Sequence, residues 1–293
     1  MTGPAPGSPV LRFAPSPNGP LHLGHALSAL VGFDMARQLG GRFLLRIEDI
    51  DVARCREDLV AEIFEDLAWL GISWEVPVLR QSQHFEVYAQ AAQWLESQGL
   101  LYPCFVSRSE VLEAAKGGAV DPEGAPLYPG LHKQLAKSEI EARISNGERF
   151  ALRLDMARAL EAANRRLEGR PLTFTELDEA GKPTLIAAHP ERWGDAVILR
   201  KDVPASYHLA VVVDDARQGV THVTRGRDLF AATDIHRLLQ VLLGLPEPLY
   251  HHHHLLTDAD GRKLAKSEGD TALAAFRAAG VSGTDVRQRV GFG

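Results

Sequence analysis

Two groups of residues in this 293-residue chain have the types and spacing needed to hold phosphate. The first is His22-Leu-Gly-His25, preceded by Pro15-Ser-Pro17-Asn-Gly19-Pro20. The prolines and glycine forbid regular structure, so a helix can begin only after them. A helix start presents unpaired N–H groups and a partial positive charge, Gly24 lets the backbone come close, and two imidazoles can donate to the same oxygens. The second group is Gly261-Arg-Lys263-Leu-Ala-Lys266-Ser267, where two lysines three positions apart can close over polyphosphate as mobile point charges. Singly, neither is specific: an isolated HxxH reads as two surface histidines, and an isolated lysine pair as a solvated loop. Together in one chain they weigh far more.

The elements that must position them can be read from periodicity. Val10 to Ala14 is a strand-like run; Leu27, Val31, Met35 and Leu39 recur every fourth position as the apolar stripe of a helix that Gly40-Gly41 stops; Arg42 to Ile47 is a second strand. Strand, loop, helix, strand is a βαβ unit and predicts an α/β fold with a parallel sheet and right-handed crossover. Glu48 and Asp49 then fall at a strand's carboxyl end, where open α/β sheets place ligands. Leu59, Ile63, Leu67 and Leu70 mark a second helix, and Tyr88, Ala91, Ala92 and Leu95 a third. A Gly/Pro/Ala-rich stretch from Lys116 to Gly130 predicts a long surface loop inside an insertion. After the insertion, Asp195–Leu199, Leu209–Val213 and Thr221–Thr224 read as strands resuming the sheet, Asp228–Leu243 as a helix, and Tyr250–Leu256 as a strand leading into the lysine loop. Thr271 to Ala279 reads as a further helix. The predicted organisation is a disordered tail at 1–9, a catalytic domain split into 10–75 and 191–245, an inserted smaller α+β subdomain at 76–190, and a loop region with a C-terminal helix at 246–293.

Composition narrows the class. With 45% hydrophobic and 24% charged residues the chain is neither disordered nor fibrous, and its apolar runs fall far short of the roughly 20 residues of a membrane span. Met1 to Pro9 has no basic and apolar regions of a secretory signal, which predicts a cytoplasmic protein with no membrane association. Two cysteines are too few for a disulfide framework. Cys55, between two arginines, lacks a nearby base or resolving cysteine and reads as incidental. A net charge of −6 gives no whole-molecule attraction to nucleic acid, so an RNA partner needs a local surface. The arginines between Arg143 and Arg170 are interleaved with glutamates and read mainly as a solvated face.

HLGH after a first strand and KLAKS after a late one resemble the HIGH and KMSKS signatures of class I aminoacyl-tRNA synthetases, which have a Rossmann-type catalytic domain. The strings Arg12 to His25, Leu45-Arg-Ile-Glu-Asp49, Ser206-Tyr-His-Leu-Ala210, Val211-Val-Val-Asp-Asp215 and Val223-Thr-Arg-Gly-Arg-Asp-Leu229 narrow the resemblance to the glutamyl/glutaminyl branch. It runs from about Val10 to Ser267. Only 26 residues follow Ser267, which leaves no room for the anticodon-binding domain of a complete glutamyl-tRNA synthetase. The chain is therefore most similar to the truncated members of that branch, which activate glutamate with ATP and join it to queuosine at the wobble position of tRNA(Asp).

That resemblance implies His22, His25 and Lys266 as catalytic residues, with Pro15, Gly24, Lys263 and Ser267 joining them around ATP and its Mg²⁺. It implies Arg12, Phe13, Ala14, Pro15, Ser16, Glu48, Tyr207 and Arg225 around L-glutamate. The chemistry agrees, since two carboxylates and one ammonium call for two cationic sites and one anion, and Arg12, Arg225 and Glu48 supply them. The implied partner is the queuosine-bearing anticodon stem-loop of tRNA(Asp); no protein partner is implied. A zinc knuckle found in many members is not expected: Cys104 is kept, but Val106 and His132 stand where further cysteines belong, leaving Cys104, Tyr128 and His132 as three ligands at best, one of them a phenol that zinc uses rarely. The run His251–His254 reads as strand rather than metal site, because at most two of the four share a face. Alternatives are a compact glutamyl-tRNA synthetase charging the tRNA 3′ end, a small nucleotidyltransferase sharing the HxGH fold, and a noncatalytic RNA-binding or regulatory paralogue.

Overall fold

The computed structural model describes residues 7–256 and 272–292. In chain order the elements are β1 (Val10–Phe13), α1 (Leu23–Gln38), β2 (Arg42–Ile47), α2 (Glu57–Trp69), β3 (Glu75–Arg80), α3 (Phe85–Ser97), β4 (Leu101–Cys104), α4 (Arg108–Ala114) and α5 (Lys137–Ser145). They continue with β5 (Ala151–Leu154), α6 (Met156–Arg166), β6 (Thr173–Leu177), β7 (Pro183–Ala187), β8 (Val197–Leu199), α7 (Tyr207–Arg217), β9 (His222–Gly226), α8 (Ala232–Leu243), β10 (Leu249–His253), α9 (Leu273–Ala278) and α10 (Gly283–Arg289).

The predicted βαβ unit is present: β1 pairs with β2 in parallel, and β2 with β3. A second sheet runs β7-β6-β10-β9, parallel except for β7 at its edge. The two meet where Thr221 N–H donates to Val10 O at 2.9 Å and Val10 N–H donates to Thr221 Oγ1 at 2.8 Å. Together they form a Rossmann-type layer in which β1 and β9 lie side by side at the centre. Strand order reverses there, and such a switch point opens a crevice at the strands' carboxyl ends. A separate antiparallel sheet, β4-β5-β8, belongs to the inserted part.

Helix α1 packs so closely on the sheet that a Cβ at Gly32 would stand 2.7 Å from Thr224 Oγ1. Its buried face is not the predicted Leu27/Val31/Met35/Leu39 stripe. Ala26, Leu27, Ala29, Leu30, Phe33 and Ala36 are buried, whereas Leu39 is 45% exposed. With β1, β2, β9 and α10 all packed against it, α1 is apolar on several sides, and one stripe does not describe it.

Two predicted strands behave differently. Leu209–Val213 lies inside α7, with all five residues buried. Ser206, whose side chain accepts from Leu209 N–H, caps the helix, and α3 and α8 cover it. A helix enclosed on several sides loses its 3.6-residue alternation and then looks like a buried strand. Asp195–Leu199 does contain β8, but this strand pairs with β5 in the small antiparallel sheet rather than resuming the main one. The sheets also cross the expected divisions: β3 extends the first sheet to Arg80, past residue 75, and β6 and β7, inside the expected 76–190 insertion, join the second.

The C-terminal helices dock back onto the first half. Leu273 N–H donates to Leu21 O at 2.8 Å, and Leu273, Val286 and Val290 enter the core of α1 and α2. Arg277 reaches Asp66 Oδ1 at 3.1 Å, yet Asp66 Oδ2 is buried with no partner. Burial, with Glu62 adding, raises the Asp66 pKa to about 6, against the pull of Arg277. A carboxyl with a raised folded pKa binds more protons folded than unfolded, between its ordinary range and about 6. Stability therefore rises as pH falls through 6 and levels off below about 4. Asp66→Asn is expected to remove this slope and to stabilise the protein at pH 8 by up to about 3 kcal/mol, the linkage value of a carboxyl raised to about 6. Thermal unfolding of both proteins at pH 8 and pH 5 checks this; equal pH slopes would refute it. No described helix is long and apolar enough to cross a membrane.

Candidate active site

At the junction of β1 and β9 lies a cavity of about 560 Å³, within the range of small-molecule sites. It gathers, from four separate parts of the chain, the predicted residues that the structure describes. β1 and the following loop contribute Arg12, Phe13, Ala14, Pro15 and Ser16; the start of α1 contributes His22, Gly24 and His25. Glu48 comes from the end of β2, Tyr207 from the start of α7 and Arg225 from β9. Lys263, Lys266 and Ser267 lie outside the described residues. Both flanks of their segment adjoin the site: Leu255 and Leu256 line the cavity, and Leu273 is bonded to Leu21 just ahead of α1.

The start of α1 is a reciprocal cap. His22 Nδ1 accepts from Gly24 N–H at 3.1 Å, and His25 Nδ1 accepts from His22 N–H at 3.2 Å, with the rings 3.9 Å apart. Because each Nδ1 accepts, the proton of each neutral ring sits on Nε2, the nitrogen able to donate to an oxygen. The helix N-terminus adds its partial positive charge.

Elsewhere around the cavity the charges are arranged unequally. Asp215 Oδ1 accepts from Arg12 Nε at 2.9 Å and lies 2.8 Å from Arg46, and Glu48 Oε1 lies 3.3 Å from Arg46. Burial alone would raise the Asp215 pKa, but Arg12 and Arg46 hold it below the usual range. Glu48 is raised by burial, with Arg46 and Arg12 opposing. Arg225, only 5% exposed, has no such partner: among the described residues no carboxylate lies within ion-pair distance. It donates instead to neutral groups, His252 Nε2 at 3.0 Å, His236 Nδ1 at 3.1 Å and Thr233 Oγ1 at 2.7 Å. A guanidinium has five N–H groups, so two remain, one on each terminal nitrogen, for a ligand in the cavity that Arg225 lines. A buried cation without a counter-ion is costly unless a ligand supplies one.

Several residues here lie in strings that the sequence singles out, but the sequence gives them no role. Arg46 and Asp215 are legible only once β2 and α7 are seen to meet. Asn18, Asp228 and His253 also line the cavity, and His253 Nε2 lies 3.0 Å from Ser28 Oγ. The histidine run does alternate: His251 bonds to Leu177 O and His253 to Ser28, while His252 turns to Arg225.

Cys104, Tyr128 and His132 are close together, but their donors are engaged in a way that does not suit zinc. Cys104 Sγ accepts from Arg153 Nε at 3.4 Å, Tyr128 Oη accepts from His132 N–H at 2.8 Å, and His132 Nδ1 accepts from Phe105 N–H at 3.1 Å. The Arg153 guanidinium lies 4.0 Å over the Tyr128 ring and donates to Asp195 O at 2.9 Å, so a cation already lies against both Cys104 and Tyr128. Arg153→Ala is expected to cost about 2 kcal/mol, measured by urea unfolding, and a zinc chelator is expected to leave the wild-type thermal midpoint unchanged. A midpoint lowered by several degrees on chelation would mean that a metal holds the cluster.

Residues 10–283 match the family described as tRNA synthetases class I (E and Q), catalytic domain. A glutamyl-Q tRNA(Asp) synthetase of Rhodobacter capsulatus is 47% identical over 285 residues, covering 96% of this chain and 99% of the relative. One from Symbiobacterium thermophilum is 41% identical, covering 92% of this chain and 82% of its own length. Among solved structures, a glutamate tRNA ligase from Elizabethkingia meningosepticum, in complex with its amino acid, superimposes with a TM-score of 0.71 at 25% identity. This chain spans 53% of that ligase, about half its length. Methionyl-tRNA synthetase of Mycobacterium tuberculosis, at 14% identity and a TM-score of 0.57, shares the fold. A match across both halves of the sheet, with relatives of the same extent, settles the family: the chain belongs to the glutamate and glutamine branch of the class I tRNA synthetases, in the group whose curated members are named glutamyl-Q tRNA(Asp) synthetase.

Proposed function

We propose that this chain activates L-glutamate with ATP and transfers the glutamyl group to queuosine at the wobble position of tRNA(Asp). The observation that carries the glutamate half is Arg225, a buried guanidinium with two N–H groups left and no carboxylate partner among the described residues. An anionic side chain satisfies it; the uncharged amide of glutamine leaves the charge uncompensated. Glu48 is the anion for the ammonium, and Arg12 lies beside it on the same wall with Asp215 holding its fork.

In the first step a glutamate carboxylate oxygen attacks the α-phosphorus, a P–O bond forms, and pyrophosphate leaves with the electrons of the broken bond. The nucleophile is ionised at neutral pH, so no base is needed, and the protein's part is positioning and charge stabilisation. The Nε2 donors of His22 and His25 and the N-terminus of α1 face the triphosphate. Lys263, Lys266 and Ser267 are the further groups assigned to the triphosphate, and Mg²⁺ bound with ATP would share its charge. In the second step a hydroxyl of the queuosine ring attacks the acyl carbon, its proton is lost, and AMP departs. Anticodon bases are read splayed from their stack, as single-stranded RNA usually is.

Labelled glutamate, supplied with ATP and Mg²⁺, is expected to enter bulk tRNA from cells that make queuosine and not tRNA from cells unable to make it. Equal labelling of both pools would mean ordinary aminoacylation of the 3′ end. No label and no adenylate would mean a noncatalytic paralogue.

A further inference from the structure

We infer that Glu176 and His252 are positioning residues that set the aim of Arg225, and with it the affinity for glutamate. The inference rests on the reading of Arg225 as a glutamate-binding residue. Neither Glu176 nor His252 lines the cavity. The carboxylate of Glu176, on β6, clamps residue 252 of the adjacent β10 twice: Oε1 accepts from His252 N–H at 2.8 Å, and Oε2 lies 2.8 Å from His252 Nδ1. On the far side of the ring, His252 Nε2 lies 3.0 Å from Arg225 Nε.

Donor and acceptor roles here admit one arrangement. A guanidinium can only donate, so His252 Nε2 must accept and cannot carry a proton. A carboxylate can only accept, so the proton is on Nδ1. His252 is thus held neutral and in a single tautomer; burial pushes its pKa down to about 4, with the hydrogen bond to Glu176 opposing. Thr233 completes a small ring: its Oγ1 accepts from Arg225 Nη2 at 2.7 Å and lies 3.3 Å from His252 Nε2, to which its hydroxyl can donate. The same logic runs along the second arm. His236 Nδ1 accepts from Arg225 Nη1 at 3.1 Å, so its proton is on Nε2, which points at His208 Nδ1 at 3.2 Å. Arg225 is therefore held on three of its five N–H groups, two of them by histidines whose tautomers are predetermined and one by the Thr233 hydroxyl. Neutral holders matter as well, because a carboxylate in their place would cancel the charge the ligand needs. Glu176 supplies orientation from one ring's width away.

Glu176→Gln is the discriminating variant because it preserves shape and removes one acceptor. The two donors are met by different oxygens of Glu176, and an amide in the same place keeps only one of them, so an NH₂ group faces either His252 N–H or Nδ1–H. Relief by moving the ring proton to Nε2 sets it against Arg225 Nε–H, donor against donor. The KM for glutamate in ATP–pyrophosphate exchange is expected to rise roughly tenfold to a hundredfold, with the KM for ATP within about twofold of wild type. In the full chain with ¹⁵N-labelled histidine, the wild-type His252 signal, identified by its loss in His252→Asn, is expected to show Nδ1–H and a bare Nε2. A wild-type His252 found protonated on Nε2 would overturn the inference, and this holds even if Glu176→Gln does not fold. Arg225→Ala is run alongside. If it raises the glutamate KM while Glu176→Gln does not, the positioning role is wrong and the reading of Arg225 stands; if neither does, Arg225 does not bind glutamate and both fall.

Discussion

Arg225→Ala is expected to lower kcat/KM for glutamate in ATP–pyrophosphate exchange by about 10²- to 10³-fold, the cost of leaving a desolvated carboxylate without its cation. The loss should fall on the glutamate KM and leave that for ATP within a few fold, because Arg225 is assigned to the amino acid and not to the triphosphate. The fold is expected to tolerate the change. Arg225 is a buried charge with no carboxylate partner among the described residues, so removing it also removes a desolvation cost, which offsets the hydrogen bonds lost by His236, His252 and Thr233. Thermal unfolding with and without glutamate separates the two effects: ligand-induced stabilisation should disappear in the variant while the unliganded midpoint changes little. An unaltered glutamate KM would end the assignment.

Lys266→Ala is the second large effect, and it has a different signature. A point charge on a long side chain, in a segment whose described flanks adjoin the cavity, is suited to follow the negative charge that grows on the triphosphate as the α-phosphorus is attacked. Adenylate formation is expected to fall by about 10²- to 10³-fold in kcat, with the KM for glutamate unchanged and the circular dichroism of the folded protein preserved. The contrast with Arg225→Ala is the point of the pair. One variant loses ground-state binding of the amino acid, the other loses stabilisation of the transition state, and the same exchange assay reads both. Exchange at the wild-type rate in Lys266→Ala would remove the lysine from the reaction.

Local signals carried much of the architecture. Gly40-Gly41, Gly71 and Gly99 stop helices that end at Gln38, Trp69 and Ser97, and Arg42–Ile47 is a strand over its whole predicted length. Such features depend on residues near each other in sequence, where backbone preference and alternation operate. The misread elements share one cause. Leu209–Val213 and the buried face of α1 are enclosed by neighbours on several sides, and where every face is apolar the period that distinguishes helix from strand disappears. Likewise, nothing within Asp195–Leu199 states that β8 will pair with β5 rather than with the main sheet. Pairing is a property of two strands.

By itself the sequence determined the branch of the family, the residues drawn to one cavity and the chemistry those residue types can perform, because motif spacing and side-chain identity are one-dimensional facts. Tertiary structure decided which charges are already spent. Arg12 and Arg225 are the same residue type and look interchangeable in a string of letters, yet Arg12 is bonded to Asp215, 203 positions away, while Arg225 is surrounded by histidines. The histidine run gains its meaning in the same way, since only the pairing of β6 with β10 brings Glu176 to His252 and sets where its proton resides. Electrostatic energy depends on separation in space and on burial, neither of which is written in residue order.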